Sequence, residues 1–179
     1  MKVSVLRLGH REKRDKRITT HVGLAARALG ASEMILSGDR DEKVLESIRD
    51  VSSNWGGSFT VKYQADWESV IRDYPGVKVH LTMYGLPIQG VIDSVRAEAS
   101  RRGGQVLVIV GSEKVPPLVY RMSDFNVAVT NQPHSEVSSL AIFLDRLFEG
   151  RELDLEFPGA SRRVVPRARG KKVALEKSG

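Results

Sequence analysis

No cysteine occurs among the 179 residues. That absence excludes a disulfide framework, any thiolate metal site and any thiol nucleophile. No apolar run approaches the length of a membrane span, and Met1 to Gly9 lacks the apolar core and cleavage site of a secretory signal. A soluble cytoplasmic protein is therefore expected. No Gly-x-x-x-x-Gly-Lys-Ser/Thr loop is present: Gly111-Ser112-Glu113-Lys114 lacks both the upstream glycine and the hydroxyl residue after lysine. No Gly-x-Gly-x-x-Gly follows the first apolar run, so an ordinary dinucleotide site is not signalled. The four histidines show no metal-ligand spacing, and no metal is expected. His80 lies inside an apolar run and reads as a satisfied core residue. Ser112, His134 and Asp124 supply the residue types of a hydrolytic triad, but nothing resembles a nucleophile elbow. There is no internal repeat.

What is present is ordinary in amount and informative in order. Hydrophobic residues make up 41% and charged residues 28%, as in a soluble globular domain. The length suits one domain with a real core. The formal net charge of +6 is compatible with a polyanionic partner.

Extended and helical patterns alternate along the chain. Lys2 to Leu8 reads as a strand, and Gly9 ends it. Gly9 to Arg17 is a dense charged run, expected as a loop whose arginines can grip phosphate. Thr19 and Thr20 offer N-caps for a helix from His21 to Leu29. Ser32 to Ser37 is a strand, Asp41 to Ser52 a helix, Phe59 to Tyr63 a strand, and Asp66 caps a short helix to about Asp73. Val77 to Leu81 is a strand, Ile88 to Ser100 a helix, and Gln105 to Val110 a strand of bare aliphatics. Phe125 to Val129 is the last core strand, and Ser135 to Glu149 the last core helix. Such alternation specifies an α/β domain, with a mainly parallel sheet and helices on both faces.

Strands of bare Val, Leu and Ile suit the buried centre of a parallel sheet, and ligands bind outside the carboxyl ends of such strands. Three loops should therefore meet at one edge, following Leu81, Val110 and Val129. The third runs directly into a helix, whose free N–H groups suit an anionic or hydrogen-bond-accepting ligand. Leu81, Met83, Val115, Pro133 and Val137 supply apolar walls. The mixture fits a medium-sized amphiphile such as a nucleoside derivative.

From Phe157 onward the chain turns basic but keeps Val164-Val165 and Val173 to Leu175. Two short β-prone segments around Arg169-Gly170 predict a hairpin with its valines buried.

The motifs His80-Leu81-Thr82-Met83-Tyr84-Gly85, Val110-Gly111-Ser112-Glu113-Lys114-Val115 and Asn126 to Val137 closely resemble those of the archaeal tRNA 2′-O-methyltransferases that act on the cytidine at position 56 of the T-loop. That family belongs to the SPOUT class of knotted methyltransferases. Leu6 to Arg11 and Arg14 to His21 are similar to its N-terminal signature. Phe157 to Ala160, with Val165-Pro166 and Gly170-Lys171, is similar to its C-terminal extension.

The resemblance implies a SPOUT domain over residues 1–156, a trefoil knot over about 80–150, and a basic extension over 157–179. It implies S-adenosylmethionine as methyl donor, tRNA as substrate, and a homodimer whose active sites are completed across the interface. For the cofactor it implies Leu81, Gly111, Ser112, Glu113, Lys114, Val115, Val129, Thr130, Asn131, Gln132, Pro133, His134, Ser135 and Glu136. Related enzymes take an activating arginine from the first helix. Counting back from Gly30, that slot falls on Leu24, which leaves Arg17, with Arg14 and Arg27 as alternatives. Arg27 is expected on a helix surface. Arg11, Arg14, Arg162, Arg163, Arg167, Arg169, Lys171 and Lys172 would meet tRNA phosphates. Two other readings stay open at this point: a noncatalytic RNA-binding protein with a relic nucleoside pocket, and a related enzyme methylating a different RNA position.

Overall fold

A computed structural model describes residues 1–112 and 114–175. Six parallel strands form the central sheet in the order β3-β2-β1-β5-β4-β6. In chain order the elements are β1 (Lys2–His10), α1 (Glu12–Ala28), β2 (Glu33–Gly38), α2 (Glu42–Trp55), β3 (Thr60–Tyr63), α3 (Trp67–Arg72), β4 (Val77–Pro87), α4 (Ile88–Arg101), β5 (Gln105–Gly111), α5 (Pro117–Met122), β6 (Phe125–Ala128) and α6 (Glu136–Phe148). After a 3-10 turn at Arg151–Asp154, β7 (Arg162–Val164) pairs antiparallel with β8 (Val173–Leu175).

Strand β1 lies between β2 and β5, with Val5 opposite Met34 on one side and Val108 on the other. Its successive side chains face opposite layers. Val3 and Val5 join Val22 and Ala26 of α1, Ile48 of α2, Val95 of α4 and Phe143 of α6. Leu6 and Leu8 join Ile71 of α3 and Val119 of α5. Four longer helices thus cover one face and two short ones the other. Burial on both faces explains why the central strands carry uninterrupted aliphatics. Removing the fully buried Phe143 side chain costs about 3–5 kcal/mol.

Several expectations need correction. The charged run after Gly9 is not a loop. From Glu12 it forms the opening turns of α1, which therefore begins nine residues before the expected His21. Its charges pair at helical spacing, Arg11 with Asp15 and Glu12 with Lys16. Asp39 accepts from the Glu12 backbone N–H at 3.0 Å, and the acidic Glu12 and Asp15 suit the positive end of the helix dipole. Thr19 and Thr20 sit inside the helix. Thr19 is buried, and the Thr20 hydroxyl donates to the Lys16 carbonyl at 2.9 Å.

Strand β4 runs to Pro87, but its ladder with β6 slips: Leu81 and Leu86 both face Val127. Residues 82–85 therefore bulge out between two points of pairing. Helix α5, absent from the expected pattern, begins where Pro116 and Pro117 close the loop after β5.

The hairpin forms, with the Val165 backbone N–H donating to the Lys172 carbonyl at 2.9 Å. Its apolar residues are not buried: Val164, Val173 and Leu175 are 57%, 49% and 78% exposed. What anchors the extension is the segment before it. The Gly57 N–H donates to the Pro158 carbonyl at 2.8 Å, and the Ser161 N–H to the Asn54 carbonyl at 3.1 Å. Arg27 was expected on a helix surface and is instead buried. Its Nη2 donates to the Gly56 carbonyl at 2.6 Å, and its guanidinium lies 4.6 Å from the Phe157 ring centroid.

Candidate active site

At the carboxyl ends of β4, β5 and β6 the loops enclose a cleft of about 790 Å³. Its walls are His80 to Tyr84, Val110 to Ser112, Lys114 to Pro117, Tyr120, Pro133, His134, Glu136 and Ser139. Eight of the expected cofactor residues meet here: Leu81, Gly111, Ser112, Lys114, Val115, Pro133, His134 and Glu136. Glu113 lies outside the described residues. Val129, Thr130, Asn131, Gln132 and Ser135 do not line the cleft. Val129 packs on the core, while Thr130 and Gln132 are exposed. Ser135 caps α6, accepting from the Val137 N–H at 3.2 Å.

Asn131 braces the cleft rather than lining it. Its amide donates to the carbonyls of Met83 at 2.7 Å and Gly85 at 3.1 Å, tying the loop after β6 to the bulge in β4. The Thr82 hydroxyl pairs with the Tyr120 hydroxyl at 3.0 Å, and the Tyr84 N–H donates to Thr82 Oγ1. The bulge is thus held from both sides, with Tyr84 78% exposed at the cleft rim.

Two buried polar residues, Arg7 beneath the cleft and His80 in its wall, are not signalled by the sequence as part of the site. Arg7, fully buried on β1, donates from Nη1 to the Gly111 carbonyl at 2.7 Å and from Nε to Thr19 Oγ1 at 3.2 Å. The same Nη1 lies 3.5 Å from the Glu136 carboxylate. One guanidinium therefore joins β1, β5, α1 and α6 under the cleft. Burial pushes the Arg7 pKa down, against the pull of Glu136 and Asp15. A lone arginine between Leu6 and Leu8 was the signal that could have found it.

His80 is buried as expected but only half satisfied. Its Nδ1 lies 2.9 Å from Asn126 Oδ1, and its Nε2 has no hydrogen-bond partner. Its ring stands edge-on to that of Tyr120, with centroids 4.6 Å apart. Burial depresses its pKa, partly offset by Asn126, so the neutral imidazole is favoured.

The basic candidates fall into separate groups. Arg14 and Arg17 are exposed on α1, three residues apart and so on neighbouring positions of one face. That end of α1 follows the carboxyl end of β1, on the same sheet edge as the cleft. Neither residue lines it. Arg11 is held by Asp15, with Nε at 2.9 Å. Arg27 sits at the far end of α1, beside Gly56 and Phe157. Arg162, Arg163, Arg167, Arg169, Lys171 and Lys172 are exposed on and around the hairpin. The extension leading to it docks at the amino-terminal edge of the sheet, opposite the cleft.

Among the described residues, no cluster of His, Asp and Glu could hold a metal ion, and no helix is long and apolar enough to cross a membrane.

Comparison with known proteins gives this cleft its family. Among solved structures, an RNA 2′-O ribose methyltransferase superposes with a TM-score of 0.57 at 18% identity, over 83% of this chain and 56% of that one. The SpoU methyltransferase AviRb from Streptomyces viridochromogenes, solved in complex with the cofactor AdoMet, gives 0.54 at 17% identity, over 83% of this chain and 60% of that one. These likenesses establish the fold, and the chain spans a little over half of each structure. Sequence relatives are much nearer. The tRNA (cytidine(56)-2'-O)-methyltransferase of Pyrococcus horikoshii is 54% identical over 96% of this chain and 84% of its own length. Its namesake from Methanopyrus kandleri is 57% identical over 94% of both chains. A family model described as tRNA ribose 2'-O-methyltransferase, aTrm56, matches residues 55–174. With the cleft-lining motifs inside that span and relatives of this identity along nearly the whole chain, the protein belongs to the aTrm56 family of tRNA ribose 2'-O-methyltransferases.

Proposed function

We propose that the protein transfers a methyl group from S-adenosylmethionine to the ribose 2′-hydroxyl of the cytidine at position 56 in the T-loop of tRNA. The observation that carries the reading is the joint one. Relatives with this named activity match nearly the whole chain at half identity or more, and the motifs that carry the family resemblance line one cleft at the carboxyl edge of the sheet.

The cleft suits the methyl donor in size and chemistry. Leu81, Val115, Pro116, Pro117 and Tyr120 offer apolar and flat surfaces to a nucleoside. Lys114 and Glu136 bring opposite charges to one cleft, complementary to an amino acid's carboxylate and ammonium. When bound, the cofactor supplies an electrophilic sulfonium methyl.

The chain's own task is to hold a ribose hydroxyl in line with that methyl and help its proton leave. A hydroxyl is a weak acid, so a neighbouring positive charge aids ionisation. Arg17 is assigned this role, acting with a substrate phosphate, with Arg14 one turn away as the alternative. Both are exposed at the cleft's edge of the sheet. The anchorage of Arg27 on Gly56 and Phe157 argues against it. Since neither Arg14 nor Arg17 lines the cleft of its own chain, a homodimer in which α1 serves the partner's cleft is part of the proposal. The docking of Pro158 and Ser161 on Gly57 and Asn54, at the sheet edge opposite the cleft, supports the same arrangement: the basic residues that follow would hold tRNA while the partner's cleft acts. A trefoil knot over about 80–150 belongs to the reading as well. It is supported by the order β5-β4-β6 and by the close seating of Gly85 on the backbone of β6.

The test is incubation of unmodified tRNA transcript with methyl-labelled S-adenosylmethionine, followed by nuclease mapping. Label is expected on the ribose of cytidine 56. Label on a base, or on another nucleotide, would overturn the reading.

A further inference from the structure

We infer that a second, smaller cavity beside the cleft seats the base of the target cytidine against the indole of Trp67, so that its ribose lies toward the methyl donor. This deepens the proposed function and rests on it.

The cavity has a volume of about 290 Å³ and lies at the same edge of the sheet, past the ends of β1 and β2. Leu8, Trp67, Val115 and Pro116 supply its apolar surface. Trp67 opens α3, after β3, and is half-buried. With Val115 it packs on the layer that holds Leu8, Ile71 and Val119, so the indole is a fixed platform rather than a free side chain. The polar groups around it are spent on each other. Ser37 Oγ donates to the Ala65 carbonyl at 3.3 Å, and the Tyr63 hydroxyl to the Gly38 carbonyl at 2.9 Å. The Ser112 N–H donates to the Leu8 carbonyl at 3.0 Å, and the Ser112 hydroxyl to the Gly9 carbonyl. Among the described residues of the lining, Lys114 alone is charged. A small slot with a flat aromatic wall and few free hydrogen-bonding groups suits one planar ring, held by stacking.

The occupant follows from the neighbour. Ser112, Lys114, Val115 and Pro116 line both the slot and the cleft, so the segment after β5 is a partition with a chamber on each side. The cleft is the larger chamber and takes the methyl donor. Whatever fills the slot sits across that partition from it. The acceptor is a ribose, and a ribose is tethered to a base that needs a place of its own. Seating the base beyond the partition fixes the ribose at its lip, which is the positioning that in-line transfer demands. Bases in single-stranded loops can be splayed out and stacked on aromatic side chains, and such a stack tolerates any base. The slot therefore positions the nucleotide and leaves base identity to other contacts.

The test uses the full-length protein and tRNA assembled with either cytidine or an abasic ribose at position 56. The chain has two tryptophans, Trp55 and Trp67, so Trp55→Phe leaves Trp67 as the sole indole. With binding saturated, cytidine-bearing tRNA should quench its fluorescence, and abasic tRNA should leave most of it. Equal quenching by the two would overturn the inference, as would none by either. Filter binding then closes a cycle. Trp67→Ala should weaken cytidine-bearing tRNA by roughly tenfold and abasic tRNA hardly at all, with Trp67→Phe restoring most of the loss and S-adenosylmethionine affinity unchanged. Equal losses on both tRNAs would mark Trp67 as structural and overturn the inference. The fluorescence comparison keeps Trp67 in place, so a misfolded Trp67→Ala cannot rescue the idea. Methylation mapped to cytidine 56, with a Trp67 signal indifferent to its base, leaves the proposed function standing and removes the slot. Absence of methylation at cytidine 56 is instead the failure of the proposed function, and the slot falls with it.

Discussion

Gly85 should tolerate no side chain, for a reason that can be measured against a control in the neighbouring helix. A Cβ built on Gly85 would lie 2.5 Å from the Asn126 carbonyl oxygen, 2.6 Å from its carbon and 2.6 Å from the Val127 nitrogen. All three are backbone atoms of β6, so no rotamer change relieves the clash. Ordinary carbon contacts sit near 3.5–4.0 Å, so β6 would have to retreat by about 1 Å. It is an edge strand of four residues held by β4. Overpacking of this kind costs about 1–3 kcal/mol. At about 2–4 °C per kcal/mol for a chain of this size, Gly85→Ala should lower the melting temperature by roughly 2–12 °C. Because Asn126 also holds His80, S-adenosylmethionine affinity should fall alongside. The control is Gly90→Ala in α4, where a Cβ would meet nothing within 4 Å and the helix should gain up to about 1 kcal/mol. Calorimetric unfolding with a cofactor titration reads both variants. A Gly85→Ala protein as stable as the wild type would refute the close approach of the β4 bulge to β6.

Three further outcomes are expected. Arg17→Ala should cut methyl transfer by about 10²-fold or more while cofactor affinity persists; single-turnover assays beside calorimetry check this, and unchanged turnover removes Arg17 from the mechanism. Replacing Lys171 and Lys172 together by Ala should weaken tRNA binding and lower the salt-dependence slope by up to roughly two, at about 0.7–0.9 per phosphate contact; binding measured across salt concentrations decides it. Asp15 has its pKa lowered, chiefly by hydrogen bonding from Arg11. A depressed carboxylate adds stability above its unfolded value of about 3.9, and that stability is lost as pH falls through the lower folded value. The stability gap between wild type and Asp15→Asn should therefore narrow on acidification below about pH 4, and a gap that stays constant would contradict the Arg11–Asp15 pairing.

Local patterns carried much of this protein openly. The aliphatic run from Val106 to Val110 announced a buried parallel strand, because a strand covered on both faces has no polar side to show. The glycine and proline breaks after it announced a loop of the cleft. The opening of α1 is hard to read because the charged run from Arg11 to Arg17 looks like a solvated loop; only the spacing, Arg11 to Asp15 and Glu12 to Lys16, tells a helix. Short α5 was missed since six residues give too little periodicity.

The linear order of residues determined the fold class, the edge at which the cleft opens, and the family, since each rests on patterns within a strand, a helix or a contiguous motif. Tertiary structure alone decided which residues of those motifs line the cleft and which brace it, placing Asn131 across the bulge and Ser135 at a helix cap. It alone brought Arg7 beneath Gly111 and Glu136, more than a hundred residues away, and set His80 against Asn126 across β4 and β6. Such roles depend on which atoms meet across strands far apart in the chain, and a one-dimensional pattern holds no record of those meetings.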